Sequence, residues 1–269
     1  MLVLIKGAGD IATGIALRLY RSGIHIVMTE LEQPSSIRRT VCFSEAVRLG
    51  TAEVEGIRAV RCVSVVDARE FVAQGSIPIL CDPLAACCDE LHPDVLVDAI
   101  LAKINTGTTI ADAPTVIAVG PGFTAGTDCH AVIETMRGHT LGRPIYFGSA
   151  LPNTGIPGEI GGFGRERVMH SECGGTFHAV CNIGDTVKAG ETVAFIGDVP
   201  LKAKIPGTLR GLLPDGFEVP REGFKSADVD PRCELFHCFT ASDKALAVGG
   251  GVLEAILALT GALKKEKEM

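Results

Sequence analysis

A pattern of small residues and one acid near the start of the chain has the spacing needed to hold a phosphorylated ligand. Gly7, Gly9 and Ala12 follow the apolar run 2–5 and match the pattern G-x-G-x-x-G/A. In such a turn the first glycine permits the tight bend, the second lets the backbone approach a pyrophosphate, and the small third residue lets a helix pack on the strand. Glu30 ends the next apolar run, where a carboxylate can bind the ribose hydroxyls of NAD and would repel the 2′-phosphate of NADP. The pattern predicts a site for NAD or another dinucleotide, formed by Gly7, Ala8, Gly9, Asp10, Ile11, Ala12 and Glu30.

Asp10 is the residue that opposes this interpretation. It directly follows the second glycine, where a negative side chain would lie near the phosphates of a bound nucleotide. The alternative is that the glycines only close a turn between a strand and a helix in an empty Rossmann-like domain, since a fold alone does not prove a ligand.

A second glycine-rich turn, GPGFTAG at 120–126, also follows an apolar run. Ligands of open parallel sheets collect at the carboxyl ends of the strands. Gly120 and Gly122 are therefore expected at the same edge of the sheet as Asp82 and Asp98. Asp82, Gly120 and Gly122 join the candidate cofactor-binding residues, although Asp82 could equally be a turn residue ahead of Pro83.

Two further groups near this turn have spacings that could support chemistry. His130 and Glu134 are four residues apart on a predicted helix, which suits a metal pair, a base with its orienting group, or a plain contact on the helix surface. The segment 153–159 combines polar side chains with glycine and proline. It is either a lid over the site or an ordered connection.

The ten cysteines are expected to be free thiols in a reducing cytoplasm, because no secretory signal precedes them. Cys87 or Cys88 at a helix start, or Cys129, could carry sulfur or selenium if its pKa were low. Two His-x-x-Cys units contribute His170, Cys173, His178 and Cys181, and Cys233, His237 and Cys238 follow. Their spacing is not that of a standard zinc knuckle, so no metal site is expected.

The elements that position these residues read as an α/β fold. Predicted strands at 2–6, 25–29, 77–82 and 94–99 alternate with helices that begin near Ile11, Ser36 and Asp67. The strands are unbroken apolar runs, which is typical of parallel strands covered on both faces. A further unit at 115–138 is predicted as a strand, the second glycine turn and a helix that begins near Thr127 or Asp128.

The region after residue 165 contains an internal repeat. GTFHAVCNIGDTVKAG begins at Gly175 and GTLRGLLPDGFEVPREG begins at Gly207, which predicts two similar modules of short strands. These segments resemble the two halves of a biotinyl/lipoyl-type barrel-sandwich hybrid. The carrier's Met-Lys pair is missing, since Lys202 lies near the expected hairpin without a Met, so no covalent biotin or lipoate is expected.

The predicted fold class is therefore α/β, with a Rossmann-like parallel sheet domain at 1–165, a small barrel-sandwich-hybrid-like β domain at 166–238 and a C-terminal helix at 239–269 that returns to the first domain. That helix is predicted from Ser242 to about Lys265. The weakly polar run 245–263 is interpreted as a buried helix and not a membrane span, because it carries Glu254 and three successive glycines.

The charge balance narrows the class of partner. A net charge of −7 with scattered Lys and Arg argues against nucleic acid as the main partner. Partners are expected to be proteins or small molecules, without a membrane, and a homo-oligomer is an open alternative.

Four stretches together resemble the YqeB family, accessory proteins of the selenium-dependent molybdenum hydroxylase system: IKGAGDIATGIALRLYRSG, EQPSSIRRTVCFSEAV, GPGFTAGTDCHAVIETMRGHTLGRPIYFGSALPNTGIPGEIGG and SDKALAVGGGVLEAIL. The N-terminal half is also similar to the Rossmann part of XdhC-type maturation factors. The resemblance implies a role in maturing a molybdenum hydroxylase, with that enzyme or its maturation proteins as partners and a molybdenum cofactor nucleotide as a further candidate ligand. It implies no known reaction and no catalytic residues.

Three functions remain open from the sequence. The first is an accessory factor that binds a nucleotide-bearing cofactor and acts on a client hydroxylase, and it is the one we favour. The second is a free-standing NAD-dependent oxidoreductase, for which His130, Asp82 and Lys103 are the candidate acids or bases. The third is a non-catalytic adaptor with an empty Rossmann-like domain.

Overall fold

The computed structural model describes residues 1–262. Strands and helices alternate in its first half. The strands are β1 (Leu2–Lys6), β2 (His25–Glu30), β3 (Thr51–Val54), β4 (Ile57–Cys62), β5 (Ile77–Cys81), β6 (Val95–Asp98), β7 (Thr115–Val119), β8 (Thr124–Ala125), β9 (Ala131–Ile133), β10 (Pro144–Ile145) and β11 (Gly148–Ser149). The helices of this half are α1 (Asp10–Arg21), α2 (Glu45–Leu49), α3 (Val65–Ala73) and α4 (Cys88–Leu91).

Nine of these strands form one sheet in the order β10-β9-β7-β6-β1-β2-β5-β4-β3. The seven inner strands are mutually parallel, and only the edge strands β10 and β3 run antiparallel to their neighbours. The inner strands are apolar on both faces because separate hydrophobic clusters cover the two sides of the sheet. The expectation of an α/β protein dominated by a parallel sheet is confirmed.

The prediction of a helix that begins near Ser36 is wrong. The chain there is extended and then makes a short 3-10 turn at Arg39–Val41, and the next α-helix begins at Glu45. This stretch is also hydrogen-bonded to the second half of the molecule. Ile37 O accepts from Leu212 N at 2.8 Å, and Arg39 Nε donates to Leu212 O at 2.8 Å. We call residues 36–40 the bridge segment.

The prediction of a helix after the second glycine turn is also wrong. The chain forms β8 and then β9, and β9 joins the sheet parallel to β7. Residues 131–133 are fully buried between β7 and β10, so packing in the sheet overrides the helical interpretation. Asp128 caps no helix, because its Oδ2 accepts from Thr124 N at 2.7 Å.

The second half contains two four-stranded antiparallel sheets. Their strands are β12 (Val168–His170), β13 (Gly175–Ala179), β14 (Thr186–Val187), β15 (Thr192–Ile196), β16 (Val199–Lys202), β17 (Gly207–Leu212), β18 (Glu218–Val219) and β19 (Lys225–Asp230). The orders are β12-β19-β17-β14 and β16-β15-β13-β18. The two repeat glycines occupy equivalent places, since Gly175 and Gly207 start β13 and β17 with positive φ values of 140° and 156°. Ile37 of the bridge segment packs into the hydrophobic cluster of this half.

The last helix, α5 (Asp243–Thr260), packs on α1. Its N-cap is Ser242, whose side chain accepts from Ala245 N at 3.2 Å. Gly261 in the left-handed conformation ends the helix. The prediction of helix from 263 to about Lys265 lies outside the described residues. Within 1–262, no helix has the length and apolar character to cross a bilayer.

Glycines make the close approach of α5 possible. A Cβ on Gly14 would lie 2.5 Å from Ala245 Cβ, and a Cβ on Gly251 would overlap the carbonyl oxygen of Gly142. A Cβ on Gly250, the residue before Gly251, would meet no atom within 4 Å. The small side of α5 therefore seats the helix against both α1 and the loop at residue 142.

Gly251→Ala is expected to lower the free energy of unfolding by about 1–3 kcal/mol, because overpacking forces the backbone apart. Gly250→Ala is the matched control and should raise the same free energy by about 0.5–1 kcal/mol, since alanine is the better helix former and has room. Urea unfolding followed by circular dichroism measures both. Equal effects of the two substitutions would contradict this account of the packing.

Candidate functional site

The first glycine turn has the geometry that the sequence predicts. Gly7 follows β1 with φ of 93°, and a Cβ there would lie 3.2 Å from Ala99 O. A side chain at this position would therefore be strained by the backbone conformation and crowded by the neighbouring strand. Gly9 is the N-cap of α1 and offers no side chain to bond the free amides of the helix.

The start of α1 presents unpaired hydrogen-bond donors. The backbone N–H groups of residues 9 to 12 have no acceptor among residues 1–262. Such a group of donors, with the positive end of the helix dipole, attracts anions. Ala8 N is the exception in the turn, because it donates to Glu30 Oε2 at 2.8 Å.

Glu30 ends β2 and supports the turn. Besides Ala8 N, its carboxylate accepts from Leu31 N, at 2.8 Å to Oε1. Burial raises the pKa of Glu30, and the bonds from Leu31 N and Ala8 N oppose that rise. Each carboxylate oxygen can accept a second hydrogen bond, so the contacts with the turn leave capacity for a ribose hydroxyl.

Asp10 is neutralised by an arginine that sequence reasoning missed. Arg38 Nη1 lies 2.8 Å from Asp10 Oδ2, and the Arg38 side chain is only 8% exposed. Arg38 Nη2 donates to His237 O at 3.0 Å. The negative charge of Asp10 at this turn is therefore compensated by the bridge segment.

These groups surround a cavity of about 390 Å³, within the roughly 300–1,000 Å³ typical of small-molecule sites. We call it the glycine-turn cavity. Of the predicted residues it brings together Gly7, Gly9, Asp10, Ile11, Ala12 and Glu30, while Ala8 is buried behind its wall. Thr29, Ser35, Ser36 and Lys225 complete the polar lining.

Lys225 is the second residue that the sequence did not reveal. It belongs to β19, in the other half of the chain, and lines the glycine-turn cavity while exposed to solvent. Desolvation by the surrounding protein lowers the pKa of its ammonium group. No spacing pattern links residue 225 to the glycine turn, so only the tertiary structure shows their proximity.

Asp82, Gly120 and Gly122 lie outside the glycine-turn cavity. Asp82 lines a separate cavity beside Cys81 and Cys87, and its Oδ2 accepts from Cys87 N at 2.8 Å. This hydrogen bond is what we expect if Asp82 is a turn residue, the alternative that the sequence leaves open. Gly120 and Gly122 have positive φ values of 82° and 110° and pack against Thr135 and the backbone of Ile104.

The predicted helix pair of His130 and Glu134 does not exist. His130 Nδ1 accepts from Val116 N at 3.0 Å. Glu134 is buried and accepts from Met136 N at 2.7 Å and Leu151 N at 2.8 Å. Both side chains are used in holding loops to the sheet edge, so neither the metal pair nor the base pair is formed.

Asp98 is likewise used internally. Its Oδ2 accepts from Thr108 Oγ1 at 2.6 Å, and Thr108 Oγ1 in turn accepts from Lys6 Nζ at 2.7 Å. Lys6 and Asp98 are both buried. This chain of contacts joins the ends of β1 and β6 next to the glycine turn.

The three cysteines considered as carriers of sulfur or selenium have raised pKa values. Burial raises the pKa of Cys87 and Cys88, and raises that of Cys129 to about 12. Thiols of this kind are poor nucleophiles at neutral pH. Among residues 1–262 no three His, Cys, Asp or Glu side chains converge as metal ligands. Cys173 and Cys181 instead bond separately to the carbonyls of Ile196 and Thr192.

An ion-pair network lies beside the bridge segment. Asp230 is fully buried and accepts from Arg232 Nη2 at 2.6 Å and Arg210 Nη1 at 3.2 Å. Burial alone would raise the pKa of Asp230, but the hydrogen bonds from Arg232 and the charge of Arg210 lower it to about 2. Asp228 pairs with Arg167 and Arg210 in the same network.

The low pKa of Asp230 makes part of the stability depend on pH. The folded-state pKa of about 2 lies below the ordinary 3.8. The unfolded chain therefore binds a proton first, and about 2 kcal/mol of stability present at neutral pH is lost as pH falls through this interval. We expect the difference in free energy of unfolding between native protein and Asp230→Asn to shrink between pH 4 and 2. Urea unfolding across that range measures it.

Asp198→Asn, in the exposed turn between β15 and β16, is the matched control. It should show no such narrowing. A difference between native protein and Asp230→Asn that stays constant with pH would contradict the low pKa.

Comparison with known proteins identifies one similar sequence. No protein-family model matches the chain. The uncharacterized protein YqeB of Escherichia coli (strain K12) is 50% identical over 258 residues, which is 96% of this chain and 48% of the relative. The chain thus spans about half the length of the curated relative it matches.

Among solved structures, an aspartoacylase family protein from Mesorhizobium loti aligns over 85% of this chain and 84% of its own, at 13% identity and a TM-score of 0.29. That score is too low to support an argument about fold or function. The sequence similarity over nearly all of this chain supports its resemblance to the YqeB family.

Proposed function

We propose that this chain binds a dinucleotide, or another nucleotide-bearing cofactor, in the glycine-turn cavity. The observation that carries the proposal is the set of unpaired N–H groups at residues 9–12, at the wall of a cavity that Glu30 and Lys225 also line. The ligand would place its pyrophosphate against these amides and its ribose near Glu30.

Gly9 is central to this assignment. It has φ of −72° and ψ of −173°, a conformation open to any residue, so backbone strain does not explain the glycine. A Cβ there would lie 3.2 Å from Ser36 Oγ, at a point where both residues line the cavity. Glycine at this position leaves room for close approach of a phosphate to the backbone.

Charge also favours an anionic ligand. Asp10 is paired with Arg38, whereas Lys225 has no carboxylate within 4.0 Å in the described part of the chain. A phosphate beside Lys225 would supply the negative partner that its ammonium group does not have. Glu30 would favour NAD over NADP, because its charge opposes a 2′-phosphate.

We further propose that the bound group serves maturation of a selenium-dependent molybdenum hydroxylase. This rests on the four stretches that resemble the YqeB family and on the 50% identity to YqeB. A molybdenum cofactor nucleotide carries the same pyrophosphate as NAD and would use the same amides. The two-sheet unit, as a barrel-sandwich-hybrid-like module, would dock on the hydroxylase or on another maturation protein.

Isothermal titration with NAD, NADP, ATP and molybdopterin cytosine dinucleotide tests the binding proposal. Native protein should bind one ligand saturably, and Gly9→Asp should weaken it about tenfold or more, because the new carboxylate takes the free amides and repels phosphate. Gly250→Asp is the control, since it adds the same charge on α5 where a Cβ meets no atom within 4 Å. It should bind like the native protein.

The other outcomes separate the remaining functions. Turnover of NADH with small carbonyl compounds would indicate an oxidoreductase. Binding of none of the four ligands by folded protein would contradict the nucleotide site and favour the adaptor, in which the two-sheet unit alone is functional.

A further inference from the structure

A second cavity, of about 260 Å³, adjoins the glycine-turn cavity where Asp10, Ile11 and Lys225 line both. It lies between the first half of the chain, α5 and the strands β12 and β19. We call it the cationic cleft. Its charged lining consists of six cations and two acids: Arg38, Arg137, Arg167, Arg210, Lys225 and Lys244, with Asp10 and Asp228.

The acids do not balance the cations in the cleft. Asp10 pairs with Arg38, and Asp228 is shared by Arg167 and Arg210. Arg137 pairs with Asp243, outside the lining of the cleft. Lys225 and Lys244 have no carboxylate within 4.0 Å among residues 1–262. A local excess of positive charge in a chain of net charge −7 points to an anionic ligand.

The walls of the cleft are also short of hydrogen-bond acceptors. Arg38 and Arg167 are more than nine-tenths buried, yet the Nε atom of each has no partner in the described part of the chain. Buried donors are normally satisfied. The lining holds one buried acceptor that also has no partner, Asp10 Oδ1, against two orphan guanidinium donors and two ammonium groups without a carboxylate partner, so acceptor oxygens are too few in the cleft.

The two lysines of the cleft, Lys225 and Lys244, have lowered pKa values. Desolvation lowers the pKa of Lys244, and the charges of Lys103 and Arg137 lower it further. Desolvation is the largest cause of the lowered pKa of Lys225 as well. An anion between these groups would relieve the mutual repulsion of the cations.

We propose that the cationic cleft binds a phosphate group, at a site separate from the amides of the glycine turn. Phosphate offers oxygens in a tetrahedral arrangement and up to two negative charges, which suits guanidinium and ammonium donors that converge from several elements. A carboxylate offers one charge and two oxygens in a plane, and would leave more of these donors without acceptors. The cleft does not depend on the nucleotide proposal, because Lys244 and Arg137 do not line the glycine-turn cavity.

The phosphate could be inorganic or could belong to an organic monoester. Titration of the full chain with inorganic phosphate and, separately, with glycerol 1-phosphate distinguishes the two sources at constant ionic strength. Tighter binding of one probe identifies the source, and saturable binding of either supports the site. Lys244→Gln and Lys225→Gln should each raise the Kd of that probe about tenfold or more, because each removes a charged hydrogen-bond donor.

Lys202→Gln is the matched control, since Lys202 is exposed on β16 and lines none of the cavities described above. It should change the Kd less than twofold. Removal of one crowded cation should leave the fold intact, which circular dichroism and thermal unfolding verify. The proposal would be overturned if folded native protein bound neither probe, or if Lys244→Gln bound phosphate as tightly as Lys202→Gln does.

Discussion

The buried guanidinium of Arg38 is the contact on which the arrangement of the site depends. It joins Asp10 at the start of α1 to the carbonyl of His237, 2.8 Å and 3.0 Å away. A buried charge is tolerated only when it is paired and hydrogen-bonded. Arg38 therefore fixes the first turn of α1 against the second half of the chain. The same ion pair neutralises the acid nearest to the proposed phosphate position.

The contacts of Ile37 and Arg39 explain why the bridge segment is not a helix. Ile37 is buried in the hydrophobic cluster of the second half, and its carbonyl accepts from Leu212 N. Arg39 bonds to Leu212 from the next position. A helix at 36–40 would turn these groups away from their partners. The bridge segment thus places Lys225 of β19 at the wall of a cavity that begins at β1.

Local patterns predict the parts of this structure that local physics determines. The turn at Gly7 and Gly9, the strands β1, β2, β5, β6 and β7, and the start of the last helix near Ser242 follow from residue types and spacing. The segment 127–138 does not, because its apolar residues suit a helix or a strand equally and the sheet decides. The prediction that pairs His130 and Glu134 on a helix is therefore wrong. Apolar periodicity over a short segment carries no information about which neighbour will cover it.

For the same reason, residue spacing predicts only the part of the site that a single strand–helix–strand unit forms. Gly7, Gly9, Ile11 and Glu30 lie within one strand–helix–strand unit, and their spacing is enough to bring them together. Arg38 and Lys225 reach the cavity through tertiary contacts between the two halves of the chain. No sequence motif predicts that these two charged residues lie at the cavity. Residue spacing therefore predicts the turn at which we propose a phosphate binds, but not the cations around it.

The two proposals place two kinds of anion-binding surface in adjoining cavities. Backbone amides form the first, at the start of α1, and side-chain cations form the second, between α5 and β19. A ligand or pair of ligands with separated phosphate groups would match both. Both proposed sites lie where the two halves of the chain meet, and their cations come from the bridge segment, the loop at Arg137 and α5 as well as from the second half.

The central claim is that the start of α1 receives a phosphate. The most direct test is to titrate pyrophosphate, the part shared by all dinucleotides, while recording the backbone amide resonances of the protein by NMR. The account predicts saturable shifts that are largest at Gly9, Asp10, Ile11 and Ala12. Saturation of the protein with pyrophosphate without shifts at these four amides would contradict it.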